Sequence, residues 1–157
     1  MKNMLLLAAV ALACAAGAST ARADSDPAAA VKADVQKLVA DATTLHSTIQ
    51  ADAEKISADV QALQGTTDRK AARAMLQADW QKVKSDREQL RPAVEADWAQ
   101  LKTDLATLRS AKAGSADLKS VLEQAKQALA QERDAVKQAL VAAHQASAAL
   151  RSSLKTK

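Results

Sequence analysis

LQADWQKVKSDREQLR at Leu76–Arg91 is followed, 18 residues later, by the similar stretch VEADWAQLKTDLATLR at Val94–Arg109. Seven of the 16 aligned pairs are identical. At ~3.6 residues per turn, this spacing corresponds to about five turns of α-helix, so each repeated side chain returns to the same side. The repeat therefore predicts one long amphipathic helix across both stretches. It indicates an architecture and says little about an activity.

The same apolar spacing runs through the rest of the chain. Apolar residues recur mostly at offsets 0, 4, 7, 11, 14 and 18 from Val31, and again from Leu118. This pattern is typical of an apolar stripe along a helix. Gly65 and Gly114 divide the three runs, and glycine commonly follows the last turn of a helix. The sequence therefore predicts three helices, at residues 27–64, 68–112 and 116–153.

The predicted fold is all-α, an elongated up-down-up bundle of three long, nearly straight amphipathic helices with coiled-coil-like packing. Short connections favour antiparallel neighbours, and an 18-residue cycle, unlike a strict heptad, demands no supercoil. The chain contains no Phe, no Tyr and two Trp, so aliphatic residues and Ala must build its core. Pro92 interrupts the second predicted helix. We expect a kink because the apolar stripe keeps its phase there, and the alternative is a break.

Residues 1–23 have the features of a secretory signal peptide. Lys2 precedes an apolar run, and Ala21-Arg22-Ala23 forms a small-x-small cleavage site. We therefore expect an exported, periplasmic protein that begins near Asp24; the alternative is a lipoprotein anchored through Cys14. Without residues 1–23 the chain keeps 20 basic and 18 acidic residues. Its positive charge is then a weak indicator of polyanion binding.

Charged residues follow the two edges of the apolar stripe. Aspartates at offsets 3 and 10 form an aspartate edge on the first and second helices, and basic residues at offsets 8 and 15 form a basic edge on the second and third. The aspartate edges comprise Asp34, Asp41, Asp52 and Asp59 on the first helix and Asp79, Asp86, Asp97 and Asp104 on the second. The basic edges comprise Lys84, Arg91, Lys102 and Arg109 on the second helix and Lys126, Arg133, His144 and Arg151 on the third.

These edges predict the hand of the bundle. Residues 24–65 carry 3 basic and 7 acidic side chains, whereas residues 66–113 carry 10 and 7. We expect the aspartate edge of the first helix to pair with the basic edge of the third, as structural ion pairs. Seen from the start of the first helix, the chain would then run anticlockwise. The opposite hand would bring the two aspartate edges together and the two basic edges together, which costs free energy.

Trp80 and Trp98 occupy equivalent positions of the apolar stripe, and we expect both to be buried core anchors. Asp34 and Asp41 lie about 10 Å apart along a helix, too far to share one cation. His46 and His144 lack the further Cys or His ligands of a usual zinc or copper site. We therefore predict no metal and no cofactor. Because phosphate loops and catalytic triads are also missing from the sequence, we predict no enzymatic activity.

The composition favours a protein that acts by contact with other proteins. No aromatic side chains are interleaved with the basic residues and no dense basic run is present, which disfavours nucleic acid. We expect a structural or chaperone-like protein of the cell envelope whose partner is unknown, and self-association stays open. The alternative is an amphipathic-helix binder of lipid surfaces. The narrow apolar stripe favours the first hypothesis over the second.

Overall fold

The chain is seen here in a computed structural model, which describes residues 26–111 and 116–156. They form three helices, α1 (Pro27–Ala62), α2 (Arg69–Ser110) and α3 (Ala116–Thr156). No strand occurs in either described range, which confirms the all-α prediction for this part of the chain. The predicted signal peptide, Cys14 and Gly114 lie outside the described residues.

The helix starts follow from local side-chain chemistry. Asp26 caps α1 by accepting a hydrogen bond from the backbone N–H of Ala28 at 3.0 Å, with Pro27 in the first turn. Asp68 caps α2 in the same way, through the N–H of Ala71 at 2.9 Å. Between these helices Gly65 has a φ of 86°, a left-handed conformation that other residues adopt only with strain. The connection therefore lies where the sequence predicts it.

Pro92 lies inside α2, which continues from Arg69 to Ser110 as one helix. A proline here removes the hydrogen bond to the carbonyl of Glu88. Pro92 and Glu88 are both exposed, so water can hydrate the carbonyl that the proline leaves without its usual donor. The alternative of a break in the second helix is therefore wrong.

The first helix holds the other two together. Helix α1 packs along both α2 and α3, whereas α2 and α3 meet at very few positions. The core accordingly divides into two clusters, each of which includes residues from all three helices. One surrounds Ile56 and Leu76, which are fully buried, and the other surrounds Val31. This arrangement leaves the side of the molecule between α2 and α3 open.

Candidate functional site

Lysine side chains bridge the aspartate edges of α1 and α2. Lys37 Nζ donates a hydrogen bond to Asp41 on its own helix at 2.8 Å, and another to Asp97 on α2 at 2.5 Å. The same arrangement recurs at Lys82 with Asp86 and Asp52, and at Lys55 with Asp59 and Asp79. From Lys37 to Lys55 along α1, the partner residues on α2 run backwards from Asp97 to Asp79. The two helices therefore run in opposite directions.

The predicted hand of the bundle is wrong. The aspartate edge of α1 shares a seam with the aspartate edge of α2, and not with the basic edge of α3. The three bridging lysines explain this outcome, because each ammonium group neutralises carboxylates from both helices. Helix α3 instead turns a border of small residues toward α1, and Val121, Ala139 and Ala146 pack against the core there. Close apolar packing and the lysine bridges together outweigh the ion pairs expected from the edges.

The bridges also shift the acidity of their members. Hydrogen bonds from Lys37 and Lys82 hold the pKa of Asp41 and Asp86, respectively, below the usual 3.8. The hydrogen bonds to Asp41 and then Asp97 raise the pKa of Lys37 above 10.5. These groups are therefore charged across the neutral range. Since the lysines are largely exposed, each bridge is screened by solvent and stabilises the fold only modestly.

The inner carboxylates of this seam are only half satisfied. Asp52, Asp79 and Asp97 each keep one buried carboxylate oxygen without a hydrogen-bond partner, while the other oxygen accepts from a lysine. A buried polar atom without a partner destabilises a protein by about 1–3 kcal/mol. The lysine contacts are therefore needed to keep these carboxylates in the interface. Within the described ranges, no three His, Cys, Asp or Glu side chains are grouped closely enough to hold a metal ion.

Glu132 joins α3 to α1. Its two carboxylate oxygens meet the Thr43 hydroxyl at 2.8 Å and His46 Nδ1 at 3.2 Å. A catalytic triad needs the histidine between the hydroxyl and the carboxylate. Here the hydroxyl and the imidazole both contact one carboxylate, so the imidazole does not activate the hydroxyl. The cluster acts as a clasp between helices. The sequence contains one indication of this cluster, because Glu132 is acidic at an offset of the cycle that is otherwise apolar.

Trp80 of α2 contacts α3 and so bridges the gap between these two helices at one place. Its ring stacks on the His144 ring with a centroid distance of 4.1 Å and an interplanar angle of 20°. Its indole N–H donates to the Ser147 hydroxyl at 3.3 Å, and Ser147 is 2% exposed. Trp80 itself is half-buried against the core. His144 therefore contacts an aromatic ring, and not the aspartate edge of α1.

Trp98 is 46% exposed, so the prediction that it is a buried anchor is wrong. It lies 18 residues after Trp80 and has the same phase on α2. The residues 18 before His144 and Ser147 are Lys126 and Leu129, which line a cavity together with Trp98. Lys126 offers no ring to stack on, and Leu129 offers no oxygen to accept the indole N–H. Trp98 therefore does not close its half of the gap.

The gap between α2 and α3 forms what we call the α2–α3 groove. Its larger cavity, of about 640 Å³, lies over α1 between the Val94–Leu105 part of α2 and the Leu122–Arg133 part of α3. A second cavity of about 540 Å³ lies beyond Trp80. Its lining includes Arg73, Leu76, Trp80, Lys84, Arg151 and Lys155. The groove thus has an apolar floor. The charged side chains that line it are mostly basic, and Glu123 in the larger cavity is acidic.

The basic edges of α2 and α3 border this groove on opposite sides. Lys126 and Arg133 line the larger cavity, while Lys84 and Arg151 line the smaller one. Because the aspartate edge of α2 faces α1, its basic edge turns toward α3. Two edges of like charge therefore face each other, which disfavours closure of α2 onto α3. Both basic edges could be identified in the sequence, but their position on opposite sides of an open groove could not.

Comparison with protein-family models, with curated proteins and with solved structures finds no match to this chain. None of the helices, over the residues described, is both long enough and apolar enough to cross a membrane. The α2–α3 groove is therefore the candidate functional site on geometric and chemical grounds alone.

Proposed function

We propose that this chain is an exported, non-enzymatic helical-bundle protein that acts through protein–protein contacts in the cell envelope, in a structural or chaperone-like role. In this proposal its helices form an elongated up-down-up bundle, and the periplasm is its compartment. The signal-like features of residues 1–23 support export. A lipoprotein anchored through Cys14 is the alternative form of the same protein.

The observation that carries the proposal is the apolar floor of the α2–α3 groove. Trp98 is 46% exposed at the edge of that floor, beside the half-buried side chains of Val94, Leu105 and Leu122. Exposed apolar surface that is bordered by polar residues is typical of a contact site. Tryptophan is also among the residues that contribute most to the affinity of protein interfaces. A protein segment that covers this floor would remove the apolar surface from water.

Binding to an anionic lipid surface is the second candidate function. The combination of exposed apolar side chains with lysine and arginine supports it, because amphipathic membrane binders have this composition. The apolar side chains lie between two helices, however, and a flat bilayer surface cannot reach the floor of a groove unless the helices separate. The geometry therefore favours a protein partner.

Photo-crosslinking in living cells tests the proposal. A photoreactive amino acid at Ala130, which is exposed and lines the larger cavity, should give a discrete protein adduct. The same probe at Gln145, which is exposed on the outward face of α3, is the matched control and should give none. Equal adducts from both positions, or lipid adducts alone from Ala130, would contradict the proposal.

A further inference from the structure

The contacts among the helices are those of three corners of a four-helix bundle. In such a bundle each helix packs on two neighbours, and helices at diagonal corners are separated by the core. Helix α1 packs along both α2 and α3, while α2 and α3 hardly touch. Helices α2 and α3 thus have the relation of a diagonal pair. The fourth corner, opposite α1, is the α2–α3 groove.

We propose that the α2–α3 groove receives one amphipathic helix of a partner protein, and that this helix carries acidic residues along both edges of its apolar stripe. The proposal rests on the proposed function and specifies the kind of partner. The bound helix would complete a four-helix bundle and cover the exposed face of Trp98. It would pack on the apolar side chains of Val94, Leu105, Leu122 and Leu129, which line the larger cavity.

The dimensions of the groove suit a helix. The larger cavity spans 12 residues of α2 and 12 of α3, and the first and last residue of each stretch lie about 16 Å, or three turns, apart along the helix axis. The smaller cavity continues the groove beyond Trp80, where Leu76 lies on its floor. Side chains in the middle of the partner helix would pass over the stacked rings of Trp80 and His144. Recognition of this kind uses apolar side chains three and four residues apart.

The charges of the two walls determine the chemistry of the partner. Lys126 and Arg133 keep 76% and 74% of their side chains exposed. Their acidic neighbours on α3, Glu123 and Asp134, lie 3.8 Å away, near the limit for an ion pair. Glu123 also lines the larger cavity, where Lys126 and Arg133 outnumber it. On α2, Lys84 lines the smaller cavity. Lys102 and Arg109 lie on the same side of the helix by their spacing, and they form no ion pair among the described residues. A helix with aspartate or glutamate on both edges would meet these cations, whereas a helix with basic edges would be repelled.

A second copy of this chain fits the groove less well. The face that it would have to present beside its own apolar surface is again the groove, with its two basic edges. The apolar stripe of its acidic helix, α1, is already buried between α2 and α3. Like charges across an interface select against a partner. The charges therefore favour a different, acidic chain.

Peptide binding provides the test. Two labelled peptides of about 25 residues, long enough to form helix when bound, would carry leucine at the apolar offsets of this chain. One carries glutamate at both edges and the other carries lysine. We expect the glutamate peptide to bind one-to-one by fluorescence anisotropy and to gain helicity by circular dichroism. The lysine peptide should not bind.

Variants then place the peptide in the groove. Trp98→Ala should weaken binding at least tenfold, as expected for a central aromatic contact. The pair Lys126→Gln and Arg133→Gln should weaken it about threefold to tenfold, since exposed ion pairs contribute little each. Gln138→Glu with Gln145→Glu lowers the net charge equally at positions of α3 that line neither cavity of the groove, and it should leave binding unchanged. Circular dichroism of each variant checks that it remains folded.

Each other outcome would overturn the inference. Equal binding of both peptides, or no binding of either, excludes an acidic helix as the occupant. Binding to anionic phospholipid vesicles that Trp98→Ala abolishes, without peptide binding, makes the groove a lipid site. A dimer in sedimentation that Trp98→Ala dissociates makes a second copy the occupant. Protein adducts from Ala130 together with a negative peptide result leave the proposed function standing and remove only the acidic helix.

Discussion

The two tryptophans show how contacts with α3 change the contribution of equivalent α2 positions to the free energy of unfolding. Trp80 and Trp98 lie 18 residues apart on the same side of α2, so sequence alone predicts equal costs for Trp80→Ala and Trp98→Ala. A fully buried tryptophan replaced by alanine costs about 3–5 kcal/mol of unfolding free energy. Trp80 is half-buried, but it also stacks on His144 and donates to the buried Ser147 hydroxyl. Trp98 has neither contact.

We therefore expect Trp80→Ala to cost about 3 kcal/mol, made up of roughly 2 from lost packing and about 1 from the hydrogen bond. Trp98→Ala should cost about 1 kcal/mol, because nearly half of this side chain is already in water. In thermal unfolding these values correspond to losses of roughly 10 °C and roughly 4 °C in Tm. Circular dichroism at the helix minimum is the assay, and each variant is the control for the other.

Equal losses in Tm for the two variants, or a larger loss for Trp98→Ala, would refute this reasoning. Either result would mean that the ring stack and the Ser147 hydrogen bond do not join α2 to α3 in solution. A Trp80→Phe variant refines the measurement, because it keeps a ring beside His144 and removes the N–H donor. It should recover most of the stability that Trp80→Ala loses.

Three further predictions concern the lysine bridges and the N terminus. Since hydrogen bonds from lysine lower the pKa of Asp41 and Asp86, their stabilising effect is present above the ordinary pKa of 3.8 and is lost as the pH falls through the lower folded pKa. When unfolding is measured at a series of pH values from 7 downward, the urea concentration at the midpoint should therefore decrease once the pH is lower than about 4. A midpoint that increases in that range would contradict the bridges. Lys82→Met removes the cation beside a buried carboxylate and should lower the urea midpoint. Lys84→Met, at an exposed position on the opposite edge of α2, should leave it nearly unchanged; equal effects would count against the assignment. Mass spectrometry of the protein isolated from cells should find a chain that begins near Asp24, as the proposed export requires. An acylated N-terminal cysteine would instead show the lipoprotein form, and an intact N terminus would contradict both.

Local chemistry explains why the helices could be predicted. Asp26 with Pro27, and Gly65 followed by Asp68, are signals that act within a few residues of where they occur. The apolar spacing likewise depends on the geometry of a single helix. Pro92 was harder to interpret, because a proline changes meaning with its surroundings. Its exposure on α2, which only the folded chain shows, allows the helix to continue.

The hand of the arrangement could not be predicted from the charged edges. Lys37, Lys55 and Lys82 repeat at offset 6 of the cycle, and this signal was visible in the sequence. Its meaning depends on two helices lying side by side, since each lysine reaches one aspartate on its own helix and one on the other. Exposed ion pairs contribute too little to select a topology by themselves. Packing of small residues between α1 and α3 also favours the observed hand, and the pattern of charged residues gives no information about this packing.

The sequence by itself determined the three helices, the connection between α1 and α2 and the spacing of the apolar stripe, because these properties depend on neighbours along the chain. Only the tertiary structure decided which edges meet, which tryptophan is covered and where the molecule stays open. Trp80 and Trp98 are equivalent in sequence, and they differ because His144 and Ser147 lie opposite one and Lys126 and Leu129 lie opposite the other. The α2–α3 groove likewise brings members of two basic edges to one apolar floor, a relation between residues distant in the chain.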